Sequence, residues 1–337
     1  MIKRMKLYVL LTVFVVFVVF ASIVLCTCYQ AATSESHVRY VGMMNIASEK
    51  IAKTIRGMEM NAMNEFDEVE KHLNSPESVI AALESKTSLN PEVRGYFAAF
   101  EPDYFPQKGT WFEPYVVHVD TSAFEVRMVG SARHNYHKSD WYIRAKKSNK
   151  SFWSDPYYYY DGSDISGHYT TFVKPVFDAQ GRLVCVCGAD MTFEWLSKEL
   201  HRVDEGFRNN ELLNRFLLNG KEDFYTVVIN NDGSCIASPE GKKVSLTQDQ
   251  LVNSLSRKES GTLDLTIKGV PSTVYYGPID YVDWSVAVVV AKQSMWGPLL
   301  KMGLVLLLVV AIGMLMVWLA VRRLHCSGCG SRSDRPG

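Results

Sequence analysis

The chain opens and nearly closes on apolar runs that carry no charge. From Leu7 through Ser34 no Asp, Glu, Lys or Arg interrupts a stretch rich in Val, Leu, Phe and Ile, and a second uncharged run spans Met302 to Val321. Each is long enough to cross a hydrocarbon core of about 30 Å as a helix. Lys3, Arg4 and Lys6 precede the first run and Arg322-Arg323 follow the second. Positive charge stays in the cytoplasm, so both ends belong there and the intervening chain lies outside. The first run exceeds the core of a cleaved signal peptide and has no clean small-x-small site; Leu25 stands where a lipoprotein cysteine at Cys26 would need a small neighbour. It reads as an uncleaved anchor.

Between the spans the pattern changes twice. Ile51, Ile55, Met58, Ala62, Phe66, Val69 and Leu73 recur at threes and fours, with charged residues on the other faces, which predicts one long helix continuing outward from the membrane. Two roles fit it, and both can hold at once: a stalk that dimerises, or a helix packed on its own domain. Phe66 fits the second better than a strict heptad does. Ser75-Pro76 closes this helix and Asn90-Pro91 a shorter one.

Strands are then predicted at Gly95–Phe100, Tyr115–Val119 and Phe124–Val129, the last after the turn residues Asp120, Thr121 and Ser122. The intervening EPDYFPQKGTWFEP is too rich in proline and aromatics for a regular element. A short helix follows over Asp140–Lys147 with Asp140 as its cap, then a hairpin FVKPVF-DAQG-RLVCVCGAD, then a helix over Thr192–Leu200 with Phe193, Trp195 and Leu196 inward.

A second set of strands at Phe224–Ile229, Ser234–Ala237, Gly261–Ile267, Ser272–Tyr276 and Trp284–Ala291, with a helix over Thr247–Leu255, repeats the grammar. The class is α+β. The expected divisions are a cytoplasmic N-terminus (1–6), a transmembrane helix (7–29), a stalk helix (30–75) and a membrane-distal module (76–201). A membrane-proximal module (202–295), a second transmembrane helix (298–321) and a cytoplasmic tail (322–337) complete them.

Composition changes the picture only by exclusion. Lys+Arg and Asp+Glu are equal at 36 each, so no global basic field argues for nucleic acid. Seven cysteines do not form a disulfide framework: Cys185 and Cys187, two apart on one strand, share a face but are poorly placed to bond each other. The tail CSGC at Cys326 and Cys329 lacks the second ligand pair of a zinc site, and no metal or cofactor is expected. No GxSxG or HExxH motif is present and the eight histidines are scattered, so no catalytic residue is assigned.

The candidate chemistry sits in Asp140 to Asp190, where Trp141, Tyr142, Trp153 and the Tyr157 to Tyr160 run lie between acidic groups. Ring faces and a carboxylate both favour positive charge, so an acid facing several aromatics suits a cation. Trp141, Trp153 and Tyr157 serve equally as core residues, and Asp190 as a cap for the helix that follows. Only half of an extended tyrosine run can see one pocket.

These features together resemble the extracytoplasmic double Cache sensor domain: two stacked PAS-like modules on a long N-terminal helix, flanked by two membrane helices. The resemblance covers about Ala31 to Ala291. It implies that Trp141-Tyr142 line a ligand pocket in the distal module, that Trp153, Ser154, Pro156 and Tyr157 match a WSxPY segment, and that Asp190, after Gly188, receives a ligand ammonium. Asp161 and Tyr136 belong to the same implied ligand-binding set. Ser139 stands where the amino-acid-binding branch has an arginine, and Tyr159 where it has an acid. That departure implies a small polar or cationic ligand within the classes amine, amino acid and small organic acid.

The wording YFPQKGTWFEPY, WSDPY and DAQGRLV is similar to sensors fused to sporulation-type serine/threonine phosphatases, and Arg322-Arg323-Leu324 to the start of a HAMP linker. The Gly/Ser-rich tail then leads us to expect no output domain in this chain. The expected function is a two-pass inner-membrane sensor, homodimeric through its stalk, with a cytoplasmic signalling partner. Its alternatives are a ligand-free structural protein on the same fold, the truncated sensor half of a phosphatase, or an extracytoplasmic enzyme.

Overall fold

The computed structural model describes residues 2–85, 92–119, 123–160, 163–209, 223–239 and 244–327. Asn90-Pro91, the turn at Asp120–Ser122, Asp161 and Cys329 lie outside them.

One helix, α1 (Ile2–Lys71), runs without a break from the apolar N-terminal run to the far end of the molecule. At 1.5 Å per residue its 70 residues span roughly 105 Å, of which a membrane takes about a third. Its outer half is the spine of the fold: Ile51, Ile55, Met58, Ala62, Phe66 and Val69 are all buried, and Leu73 packs against the same cluster. The periodic apolar face is therefore covered by the chain's own sheets, as the packed-helix reading requires.

The helix α2 (Pro76–Glu84) starts where Ser75 accepts the Ser78 amide on its hydroxyl, with Pro76 in the first turn, where its missing N–H costs nothing. A seven-stranded antiparallel sheet follows, in the order β3-β2-β1-β7-β6-β4 with β5 also on β6. The strands are β1 (Val93–Phe100), β2 (Pro114–His118), β3 (Phe124–Met128), β4 (Phe152–Trp153), β5 (Tyr157–Tyr159), β6 (Gly167–Phe177) and β7 (Leu183–Thr192). α3 (Asp140–Ser148) covers its outer face, and α4 (Glu194–Asn209) leads to the second sheet.

That sheet has the order β10-β11-β12-β8-β9, from β8 (Phe224–Asn230), β9 (Cys235–Ala237), β10 (Gly261–Ile267), β11 (Val270–Pro278) and β12 (Trp284–Ala291). α5 (Asp249–Ser256) covers its outer face, and α6 (Lys292–Ser327) continues from β12 into the second apolar run. The fold is α+β, as its sequence pattern predicts.

Both sheets lay one face on α1. Phe66 meets Tyr96 and Phe172 of the distal sheet with ring centroids 6.4 and 6.3 Å apart. Tyr40 meets Tyr275 and Phe224 of the proximal sheet at 5.4 and 5.7 Å. The Ser48 hydroxyl donates to the Pro278 carbonyl at 2.7 Å. Along their apolar runs α1 and α6 lie side by side, close enough that a Cβ on Gly313 would sit 3.0 Å from the Phe17 ring. Their apolar windows, within Leu10–Lys71 and at Gly303–Ala320, are long and apolar enough to cross a bilayer.

Among the boundaries that differ from expectation, two concern the helices flanking the distal sheet. Ser139, not Asp140, is the residue before the first turn of α3, and it makes no side-chain cap bond; Asp140 lies inside that turn, where its charge favours the helix dipole. α4 extends nine residues past Leu200, to Asn209, because Val203 continues its buried face.

Candidate functional site

Strand parity builds the site. Along β7, Cys185, Cys187, Ala189 and Met191 pack toward α1, while Val186 joins the cluster under α3 and Asp190 opens on the same outer side. On β1, Tyr96, Ala98 and Phe100 take the helix side and Phe97 and Ala99 the outer side.

Two glycines make room there. A Cβ on Gly188 would fall inside the Phe97 ring, so glycine lets that ring lie flat across β7. A Cβ on Gly95 would meet the Tyr115 ring at 2.7 Å, so glycine lets Tyr115 reach across β1 toward Asp190. Trp141, from the first turn of α3, rests on Phe97 with centroids 5.1 Å apart.

Asp190 is buried at the floor of a cavity of about 30 Å³. Phe97, Tyr115, Trp141, Tyr157 and Tyr169 supply rings to its walls. Thr171, opposite Asp190 in the sheet, donates its hydroxyl to Oδ1 at 2.6 Å. The Tyr157 hydroxyl lies 2.8 Å from the Thr171 oxygen and donates to Oδ1 at 3.3 Å, and the Tyr115 side chain makes a further hydrogen bond to the carboxyl. All three bonds favour the ionised form, yet burial outweighs them and lifts the carboxyl from 3.8 to about 6. The carboxyl is thus engaged on the sheet and not at the start of α4.

Of the residues expected at the site, Trp141, Tyr157 and Asp190 converge on this cavity. Tyr142 and Tyr136 stand behind the wall. The Tyr142 hydroxyl donates to Glu101 Oε1 at 2.8 Å, and the Tyr136 hydroxyl donates to the Phe100 carbonyl at 2.7 Å. Their rings stack one behind the other from Trp141, at 5.7 and 5.4 Å. Trp153 sits on the opposite face of the sheet, because it pairs with Phe172, whose ring it meets at 5.3 Å on the α1 side. Within the tyrosine run, Tyr157 and Tyr159 line the cavity while Tyr158 and Tyr160 are exposed, the alternation an extended strand imposes.

Sequence reasoning passed over Glu113 and Tyr115. Glu113 is 3% exposed, lines the same cavity, and is pushed well above the ordinary carboxylate range by burial and then by Asp190. The two residues are two apart across the entrance to β2 and so share the outer face, but the strand expected there began at Tyr115 and left Glu113 in the irregular stretch before it.

Comparison with known proteins bears on the fold that carries this cavity. Residues 79–198 match the family described as "Methyl-accepting chemotaxis protein-like, first PDC sensor domain". No curated protein matches the chain by sequence. Among solved structures, the periplasmic sensory domain of the Campylobacter jejuni chemoreceptor Tlp1 aligns with TM-score 0.61 at 13% identity, covering 79% of this chain and 99% of that one. The ligand-binding domain of Mlp24 with asparagine aligns with TM-score 0.56 at 18% identity, covering 80% and 98%. The ligand-binding domain of Pseudomonas fluorescens chemoreceptor CtaA, in complex with L-isoleucine, aligns at 0.54 and 16%, also covering 80% and 98%. At these identities the likeness establishes the fold, two PAS-like Cache modules on one long helix. The matched domains are sensory, not catalytic.

Proposed function

We propose that this chain is a membrane-anchored extracytoplasmic sensor whose distal module, 76–201, takes a small polar or cationic ligand at Asp190, Tyr157 and Trp141. The observation that carries the reading is a buried carboxyl facing a ring-walled cavity, an expensive arrangement that a cation relieves. Two solved neighbours whose ligand-binding domains hold asparagine and L-isoleucine support a small-molecule ligand for this fold.

The proximal module, 202–295, relays the change to the spans. Ligand closure of the distal sheet on α3 shifts α1 relative to α6, two helices already in contact near Phe17 and Gly313. We read the state as a homodimer through α1 and the output as a cytoplasmic partner beyond Arg322-Arg323. The similarity to phosphatase-linked sensors makes phosphorylation control the favoured output.

The test uses the full chain in lipid nanodiscs, screened by thermal shift against amines, amino acids and short carboxylic acids. A hit abolished by Asp190→Ala is the expected result. A folded chain that no compound shifts would instead favour a ligand-free interaction module, a reading the small size of the cavity supports.

A further inference from the structure

The cavity that holds Asp190 contains a second buried acid. Glu113 enters it from the start of β2, its side chain 4% exposed, and its Oε2 accepts no hydrogen bond. The imidazole of His134 comes near, its Nε2 3.5 Å from Oε2, beyond hydrogen-bond range. No Lys or Arg is among the cavity's lining residues. Two carboxyls thus share one ring-walled space with no fixed charge to neutralise either.

We infer that Glu113 is a second anionic recognition residue and that the preferred ligand is a short dication, a diamine with one ammonium on Asp190 and the other on Glu113. This rests on the sensor reading above and sharpens its ligand class. A monoamine leaves one buried acid unmatched, and an α-amino acid brings a carboxylate into a space that already holds two. A diamine satisfies both acids, while Trp141, Tyr157 and Tyr159 wrap its methylenes and face its charges. Because burial and Asp190 hold the Glu113 carboxyl well above its ordinary range, seating the second ammonium favours release of its proton. His134 and Tyr159, whose rings meet edge to face at 4.9 Å, line the same cavity, and a diamine requires them to part, since about 30 Å³ holds only about two waters.

Calorimetry on the full chain in nanodiscs tests this with putrescine, cadaverine, butylamine, γ-aminobutyrate and L-asparagine. A charge-assisted contact is worth about 1.5–3 kcal/mol, so putrescine or cadaverine binds at least about tenfold tighter than butylamine, and γ-aminobutyrate binds weakest. Repeating the titrations in buffers of different ionisation enthalpy shows more protons released by the diamine than by butylamine. Glu113→Gln removes both the preference for the diamine over butylamine and the extra proton.

Equal affinity for putrescine and butylamine would mean that His134 already satisfies Glu113, and would overturn the inference while leaving the sensor reading intact. Binding of asparagine without any amine would overturn it too. Silence from every probe would overturn it as well, and the sensor reading falls with it only if the wider thermal-shift screen is silent too. Should Glu113→Gln fail to fold, the wild-type ligand series and proton counts decide alone.

Discussion

The two sheets share one plan and spend their outer faces differently. In each, one face lies on α1 and the other is covered by a short helix, α3 over the distal sheet and α5 over the proximal one. Along β12, Val286, Val288 and Val290 face α1 as the odd residues of β7 do, while Ala287 and Val289 face α5. What packs beneath α5 is mostly aliphatic, Val227, Ile229, Leu246 and Val274 against Leu251 and Leu255 of the helix itself, with Tyr276 as a buried ring beside them. The corresponding layer beneath α3 is ringed with aromatics and holds Asp190 and Glu113.

The proximal unit also has a buried acid, Asp204 on α4. It accepts both the amide and the hydroxyl of Thr226, the latter at 2.6 Å, and so staples helix to sheet. Burial of an acid therefore does not by itself mark a site. What separates Asp190 is that its surroundings leave a space.

If the proximal layer is structural, truncating it breaks the fold before it touches recognition. Ile229→Ala empties a fully buried position and should cost about 2–5 kcal/mol, read as a fall in thermal midpoint of the ligand-free chain. Ligand affinity measured below the transition should stay unchanged. A loss of affinity matching the loss of stability would mean that the two layers are not separable.

The distal layer should reveal itself by pH instead. Asp190 is raised from 3.8 to about 6, so the folded state binds its proton more tightly than the unfolded chain does. Its contribution is fully present below 3.8 and is lost as pH rises through about 6. At 1.36 kcal/mol per unit, the ligand-free chain loses about 3 kcal/mol across that window from this group. Asp190→Asn should flatten the slope of stability between those limits. A ligand that prefers ionised Asp190 binds more tightly as pH rises through the same range, opposite in sign to the stability change.

Much of this was legible because it follows from period. The face of α1 from Ile51 to Leu73 and the hairpin ending at Asp190 are both where the alternation of residues puts them. The part that failed to show was register. Whether Trp153 faces the pocket or α1 depends on its pairing with Phe172, and nothing local to WSDPY records that partner. Glu113 was hidden differently, inside a proline- and aromatic-rich stretch read as irregular, although its spacing from Tyr115 placed both on one face. The cap of α3 was misjudged by one residue because Ser139 and Asp140 are both good caps by type.

Glycine separates the layers more finely. At Gly188 an added methyl collides with the Phe97 ring, which is itself pinned under Trp141, so Gly188→Ala should cost about 1–3 kcal/mol and disturb ligand binding. At Gly261 in the proximal sheet the added Cβ meets the Tyr276 hydroxyl at 2.6 Å, the tip of that ring and not its body. Gly261→Ala should cost less and leave binding alone. Paired melts with and without ligand distinguish the two, and equal costs would show that Phe97 is as free to move as Tyr276.

The smallest effect concerns how the distal layer is hung. Two of its helices begin after a serine, yet only one of those serines caps. Ser75 accepts the Ser78 amide at 3.1 Å, whereas Ser139 makes no side-chain bond to α3. Ser75→Ala should therefore cost about 1 kcal/mol and Ser139→Ala close to nothing. α3 does not need the cap, because Trp141, Tyr142 and Ala145 are buried beneath it and hold it by packing. If Ser139→Ala proved as costly as Ser75→Ala, the hold on α3 would be local to its first turn, and Trp141 would owe its position to that turn and not to Phe97.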